Sequence, residues 1–173
     1  ARDILASVTE EDVSHAGFPF LTSRTVDIDG VRTLASRISY VGELGWEIYV
    51  PMEQGLRVWD ALWAAGQPHG MVAVGIGTYA VTSRLEKGYR LWGSDVHTEY
   101  NAYEAGLGWT VRLSKPDFIG KAACVELKKQ PLKKKLCCLT FDDPAGVALG
   151  YEPILADDEC VGYITTSNFG YSI

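Results

Sequence analysis

Residues Tyr40-Val-Gly-Glu-Leu-Gly-Trp-Glu-Ile-Tyr-Val50 decide how the first half of this chain is organised. The segment predicts the end of one strand, a glycine-hinged turn at residues 42–45 and a second strand from Trp46. Successive side chains of a strand point to opposite faces. One face of the second strand is therefore predicted to be apolar, with Trp46, Ile48 and Val50.

Glu47 lies on the other predicted face of that strand, together with Tyr49. A carboxylate within so apolar a strand is costly to bury unless another group pairs with it. The pattern leaves two interpretations open. Glu47 either faces water on a half-exposed sheet, or it binds a ligand that presents two adjacent N–H donors. Tyr40 and Glu43 lie close enough along the chain to contribute to such a site.

The composition is that of a globular protein with a packed core. Of the 173 residues, 47% are hydrophobic and 22% are charged, with a formal net charge of -6. This excess of negative charge argues against nucleic acid or an anionic membrane as a partner. No apolar run approaches the ~20 residues that span a bilayer and no signal peptide is visible, so we expect a cytoplasmic protein. The four cysteines lack the spacing of a zinc site.

The pattern along residues 1–114 predicts an α+β domain. Asp29-Gly30 is typical of a hairpin turn, and the helical spacing of apolar residues after Pro51 predicts a helix that ends at Gly66. A second helix is predicted over residues 78–87, and an apolar strand over residues 105–113. Strands and helices in this order indicate a ferredoxin-like layer.

A second domain is predicted over residues 115–173, after Lys115-Pro116. Asp117 is expected to cap a helix that reaches Lys129. Short strands separated by turn signals are typical of a small β-barrel, and we predict them at residues 136–141, 154–155 and 160–166. The chain starts without a methionine, inside a predicted helix, and its last residues predict the start of another strand. We therefore expect a piece of a longer protein.

Four motifs occur in sequence order over nearly the whole chain. They are Tyr40-Val-Gly-Glu-Leu-Gly-Trp-Glu47, Arg84-Leu-Glu-Lys-Gly88, Asp117-Phe-Ile-Gly-Lys121 and Gly170-Tyr-Ser172. Together they resemble the folate-binding aminomethyltransferase family, to which the T-protein of the glycine cleavage system belongs. Three further segments resemble the folate-binding half of dimethylglycine and sarcosine dehydrogenases and oxidases: Gly77-Thr-Tyr-Ala80, Tyr89-Arg-Leu-Trp-Gly93 and Tyr103-Glu-Ala-Gly-Leu107.

The resemblance implies a cloverleaf of three domains around a central hole that holds tetrahydrofolate. Residues 1–114 would form the ferredoxin-like second part of the core, and residues 115–173 the beginning of the C-terminal β-barrel. The implied activity is tetrahydrofolate-dependent one-carbon transfer, in which a methylamine-derived carbon is captured as 5,10-methylenetetrahydrofolate. The family's catalytic aspartate would lie upstream, so no residue of this chain is assigned a catalytic role. FAD, if it takes part at all, would be bound by a separate module, and a flavin-oxidase domain or another chain would complete the fold.

The resemblance also implies which residues bind the folate. Glu47 matches the glutamate that holds the pterin ring, and Tyr40 matches an aromatic residue of the same pocket. A carboxylate can accept two parallel N–H hydrogen bonds from the aminopyrimidine edge. Tyr89 matches a residue that lines the folate, where an aromatic ring could pack on the ring system. Glu43 and Trp46 belong to the same signature and complete the set, although alternation also allows Trp46 to face the core.

The chain departs from the T-protein pattern at two positions, and at one of them Ser83 stands where the family usually has a leucine before Arg-Leu-Glu. Ala80 or Val81 stands where T-proteins carry an arginine that contacts the folate tail, and the dimethylglycine subgroup shares this loss. Two other functions stay open: a folate-binding regulatory protein without transferase activity, and a structural module of a larger flavin-dependent oxidase. Regulatory members of the family usually carry a cysteine near the folate site, and residues 1–123 contain none.

Overall fold

The computed structural model describes residues 1–173, which divide into two compact units, Ala1–Lys87 and Gly88–Ile173. The first unit contains a three-stranded sheet and several helices. In chain order these are α1 (Arg2–Ala6), β1 (Ser23–Ile28), β2 (Val31–Ser36), β3 (Glu47–Tyr49), α2 (Gly55–Gly66), a π-helical segment (Gly77–Ser83) and α3 (Arg84–Glu86). Short 3-10 turns precede and follow α2, at Met52–Gln54 and Gln67–His69. None of the helices is both long and apolar enough to cross a membrane.

The sheet of the first unit is an antiparallel meander in the order β1-β2-β3. β1 and β2 form the hairpin predicted at Asp29-Gly30, with Ile28 paired to Val31. Asp29 and Gly30 both have positive φ angles, 50° and 77°. Two-residue hairpin loops favour this backbone because its twist matches that of the strands. The local turn chemistry was sufficient to predict this hairpin, which is confirmed.

One face of this sheet forms the core of the first unit. Val26, Ile28 and Ala35 are fully buried, and Leu5 of α1 and Val58 of α2 are buried in the same cluster. Trp46, Ile48 and Val50 pack against the cluster from the third strand and its flanks. The alternation predicted for residues 46–50 is therefore confirmed. Burial of each large apolar side chain contributes roughly 1.5–3 kcal/mol, which holds the helices on the sheet.

The mixed helix and sheet architecture is confirmed, whereas the ferredoxin-like topology is not. A ferredoxin-like unit places a crossover helix between strands of one sheet. Here a two-residue turn joins β1 to β2, and an irregular segment over residues 37–46 joins β2 to β3, so no helix intervenes. After α2 the chain runs through irregular residues 71–76 into the π-helical segment, without adding a fourth strand.

The second unit contains α4 (Lys121–Lys129) and an antiparallel hairpin of β4 (Pro153–Ala156) and β5 (Glu159–Tyr163). The predicted strands at residues 154–155 and 160–166 correspond to this hairpin, although β5 ends at Tyr163. The predicted helix begins later than expected, because Gly120, with a φ of 86°, immediately precedes it in place of a helical turn at Asp117.

Two predicted strands of the second unit are wrong. Residues 105–113 form turns and a 3-10 helix at Gly108–Thr110, and Trp109 is 79% exposed. Residues 136–141 have no regular secondary structure and are largely exposed. Both segments have the residue types of strands, but neither finds a neighbouring strand that completes its backbone hydrogen bonds. Without such a neighbour, β-forming residues do not specify a strand.

Candidate functional site

Glu47 is the first residue of β3, where it pairs with Ser36 of β2. Its half-buried carboxylate accepts hydrogen bonds from two tyrosines. The hydroxyl of Tyr49 donates to Oε2 at 2.5 Å, and the hydroxyl of Tyr79 donates to Oε1 at 3.3 Å. Each carboxylate oxygen is thus held by one neutral donor, which lowers the cost of its partial burial.

Tyr79 connects Glu47 to Tyr40. Its hydroxyl oxygen accepts a hydrogen bond from the backbone N–H of Tyr40 at 3.0 Å while its proton points to Glu47. The rings of Tyr40 and Tyr79 also contact each other, with centroids 6.0 Å apart and planes tilted by 54°. We refer to Tyr40, Glu47, Tyr49 and Tyr79 as the Glu47 cluster.

A tight turn at Gly42 lies between Tyr40 and β3, the strand that carries Glu47 and Tyr49. Gly42 has a φ of 76°, a conformation that an L side chain adopts only with strain. A Cβ atom added there would also lie 2.5 Å from the Cδ and Cε atoms of the Lys87 side chain. Gly45, by contrast, has open space around its Cα and no positive φ. Of these two glycines, only Gly42 is required by the geometry.

The electrostatics of the cluster keep Tyr49 as a donor. The pKa of Tyr49 is raised above 10.0, first because its hydroxyl donates to Glu47 and second because the carboxylate charge opposes a phenolate beside it. A carboxylate has about four acceptor positions, of which the two tyrosines occupy one on each oxygen. The remaining positions can accept two parallel N–H donors from a single ligand.

Trp46 lies on the opposite face from this carboxylate. Its ring centroid is 5.9 Å from that of Phe18, and the Arg37 guanidinium is 5.9 Å from the ring. Its indole nitrogen is buried without a hydrogen-bond partner. Trp46 therefore seals the core side of the segment, and the structure does not bring it to the Glu47 cluster.

The remaining two predicted site residues belong to different units. Glu43 is exposed at the tip of the turn, and no hydrogen bond joins it to the cluster. Tyr89 belongs to the second unit, where it is half-buried. Among the predicted residues of the first unit, the structure thus brings together Tyr40 and Glu47.

Two residues of the cluster were missed from the sequence. Tyr49 shares a face with Glu47 by simple alternation, so a signal for it was present. Tyr79 lies 32 residues after Glu47 and belongs to a different element. No local pattern could have predicted that contact, because it depends on how the π-helical segment packs beside β3.

A separate open groove of about 710 Å³ lies at the other end of the first unit. None of the predicted site residues lines it, and its charged side chains are those of Glu10, Glu11, Asp27, Asp29 and Arg57. Arg57 pairs with Asp29 at 3.2 Å, and Glu11 accepts hydrogen bonds from Thr9 and the backbone of Asp27. The groove is lined by four carboxylates and one guanidinium, and we assign it no role.

Two protein-family models match this chain. The family model for the GCVT N-terminal domain matches residues 1–115, and the model for the glycine cleavage T-protein C-terminal barrel domain matches residues 134–173. The chain belongs to the GCVT family. The resemblance inferred from the sequence motifs is confirmed, and residues 116–133 lie between the two matched regions.

Relatives of this GCVT-family chain include two kinds of enzyme. Human mitochondrial dimethylglycine dehydrogenase is 41% identical over the whole chain, which covers 20% of that protein. Human mitochondrial sarcosine dehydrogenase is 35% identical over the whole chain and 19% of its own length. An aminomethyltransferase of Caldanaerobacter subterraneus subsp. tengcongensis is 38% identical over 98% of the chain and 44% of its own length. The chain thus spans about a fifth of the dehydrogenases and under half of the aminomethyltransferase. The expected cytoplasmic location stays a prediction.

Proposed function

We propose that the protein of which this chain is a part binds tetrahydrofolate at the Glu47 cluster and transfers a one-carbon unit to it. Membership of the GCVT family and relatives named as aminomethyltransferases and as dehydrogenases of methylated glycines support this proposal. The observation that carries it is the state of Glu47: a half-buried carboxylate, fixed at both oxygens by tyrosines, with acceptor positions left on each oxygen.

The residues of the cluster fit the pterin of a folate. The aminopyrimidine edge of a pterin presents N–H donors side by side, and a fixed carboxylate accepts such a pair in the way that it accepts an arginine fork. The aromatic ring of Tyr40 adds an apolar surface beside the carboxylate, on which a flat ring system could pack. Glu43 and Tyr89 stay proposed folate contacts on the strength of their motifs alone.

In this proposal the chain binds and orients the folate and does not supply a catalytic group. Fixing the pterin sets the position of N5 and N10, and a closed site keeps water from the reactive carbon. Tetrahydrofolate would capture a methylamine-derived carbon, giving 5,10-methylenetetrahydrofolate. FAD, where it takes part, would be bound by a separate module. The non-transferase alternatives gain no support from the relatives, since those named above are enzymes.

We also propose the domain assignment made from the sequence. Residues 1–114 would belong to the folate-binding core, and residues 115–173 would begin the C-terminal barrel. The tail of the folate would be recognised without the T-protein arginine, because Ala80 and Val81 have no charged group to offer it. Recognition of the tail would then fall to other parts of the complete protein.

The Glu47→Gln variant of the full-length protein tests this proposal. Glutamine keeps the size of the side chain but replaces one acceptor oxygen with a donor. We expect tetrahydrofolate binding to weaken by about 1.5–3 kcal/mol, the loss typical of a hydrogen bond to a charged group. Isothermal titration calorimetry measures the change. Glu53→Gln, at an exposed glutamate of the same unit, is the matched control. An unchanged dissociation constant in Glu47→Gln would contradict the proposed site.

A further inference from the structure

Tyr79 occupies a central place in the Glu47 cluster. Its hydroxyl makes two contacts: it accepts from the backbone N–H of Tyr40 at 3.0 Å and donates to Oε1 of Glu47 at 3.3 Å. A phenol has a single proton. Since the Tyr40 amide occupies an acceptor position of the phenolic oxygen, that proton is directed at the carboxylate.

From this arrangement we infer that Tyr79 is a positioning residue, which sets the orientation of the Glu47 carboxylate toward a ligand with paired N–H donors. The inference rests on the proposed function, because it assigns Tyr79 a role in the same binding site. Tyr79 would not need to touch the ligand. It acts through Glu47, by holding one oxygen while the other acceptor positions stay open.

The two tyrosines that hold Glu47 differ in what they can control. Tyr49 is two residues away on the same face of β3 and is 53% exposed, so its bond moves with the strand. Tyr79 comes from a separate element, the π-helical segment Gly77–Ser83. Its bond therefore fixes the carboxylate relative to a second part of the unit. Two donors on different elements restrict the rotation of the carboxylate more than either donor alone.

The backbone around Tyr79 supports a specialised role. π-Helical segments are rare and are found frequently at functional sites. The flanking residues Gly77 and Thr78 are exposed, while Tyr79 is half-buried against Tyr40. The Tyr79 hydroxyl thus joins this segment to Glu47 of β3.

The link to Tyr40 passes through the main chain. Because the donor to Tyr79 is the Tyr40 amide, replacing the Tyr40 side chain leaves this hydrogen bond possible. Chains of hydrogen bonds polarise one another, so the amide also strengthens the donation from Tyr79 to Glu47. A substitution that removes the Tyr79 hydroxyl therefore breaks both hydrogen bonds, the one from the Tyr40 amide and the one to Glu47.

The test is a double-mutant cycle in the full-length protein, with tetrahydrofolate as the probe in isothermal titration calorimetry. Tyr79→Phe keeps the ring and removes only the hydroxyl, and Glu47→Ala removes the carboxylate that Tyr79 would position. We expect Tyr79→Phe alone to weaken binding by about fivefold to tenfold, the loss of one hydrogen bond. In the Glu47→Ala background the same change should alter binding by less than about twofold, because no carboxylate remains to be held.

A merely structural role would give a different result. It would weaken binding to a similar extent in both backgrounds, and this outcome would overturn the inference. So would a Tyr79→Phe variant that binds as tightly as the wild type while the Glu47 variants bind weakly. If the Glu47 variants themselves bind normally, the proposed function fails instead. Tyr151→Phe, at a tyrosine that is 75% exposed in the second unit, is the control for loss of a hydroxyl.

Discussion

Trp46 and Glu47 are neighbours in the chain, and their side chains lie on opposite faces of the sheet. Trp46 packs on Phe18 in the core, whereas Glu47 accepts hydrogen bonds from Tyr49 and Tyr79. The two-residue period of a strand produces this separation. One short segment thus closes the core with one residue and presents a carboxylate with the next.

This division predicts separate consequences for changes at the two positions. Trp46→Phe should lower the free energy of unfolding by about 1 kcal/mol, because the smaller ring fills less of the space beside Phe18. Tetrahydrofolate affinity should stay within about twofold of the wild type, a change of under ~0.5 kcal/mol. Urea unfolding followed by circular dichroism and calorimetric titration measure the two quantities. A strong loss of affinity without a loss of stability would restore Trp46 as a folate contact.

The turn before β3 predicts that the two glycines of the signature differ in their tolerance of a side chain. Gly42→Ala should destabilise the protein by about 1–2 kcal/mol, because alanine is strained at a φ of 76°. Gly45→Ala should be nearly neutral, since nothing lies within 4 Å of its added Cβ. Melting temperatures of the two variants provide the comparison. Equal effects of the two substitutions would show that the turn does not require a positive φ at residue 42.

A third prediction on stability concerns Asp95, which is only 5% exposed. Its carboxylate accepts from the backbone N–H of Leu91 at 2.8 Å and from the hydroxyls of Thr165 and Thr166, each at 2.5 Å. Asp95→Ala should destabilise the second unit by about 2–4 kcal/mol, because three half-buried donors lose a buried charged acceptor. Hydrogen exchange should then speed up around residues 163–168. Exchange that is unchanged there, relative to an exposed control such as Asp117→Ala, would contradict this role.

A prediction on pH dependence follows from Glu11. Its pKa is lowered from 4.5, chiefly by the hydrogen bond from the Thr9 hydroxyl and further by the backbone N–H of Asp27. A lowered pKa means that the carboxylate stabilises the fold above pH 4.5 and that this contribution is lost as the pH falls through the folded-state value. The wild type should therefore melt higher than Glu11→Gln at pH 7, and the difference should shrink toward pH ~3. A difference that stays constant over this range would exclude the linkage, and Glu10→Gln is the neighbouring control.

The secondary structure was predictable wherever it depended on local rules. The Asp29-Gly30 turn fixed the first hairpin, and the spacing of apolar residues fixed α2, because turn chemistry and helical period need no distant partner. The predictions of strands at residues 105–113 and 136–141 were wrong because a strand depends on a partner elsewhere in the chain. A strand exists only if another strand completes its hydrogen bonds, and the sequence of one segment does not reveal whether a partner is available.

By itself, the sequence determined the family and the alternation that places Glu47 opposite Trp46. The family is indicated by short motifs, each made of consecutive residues. The alternation follows from strand geometry, which places successive side chains on opposite faces. Only the tertiary structure decided what meets the carboxylate. Tyr79 reaches Glu47 across 32 residues, and its position depends on the packing of the π-helical segment beside the sheet. Contacts of this kind are set by the sum of many weak packing interactions, which no single motif encodes.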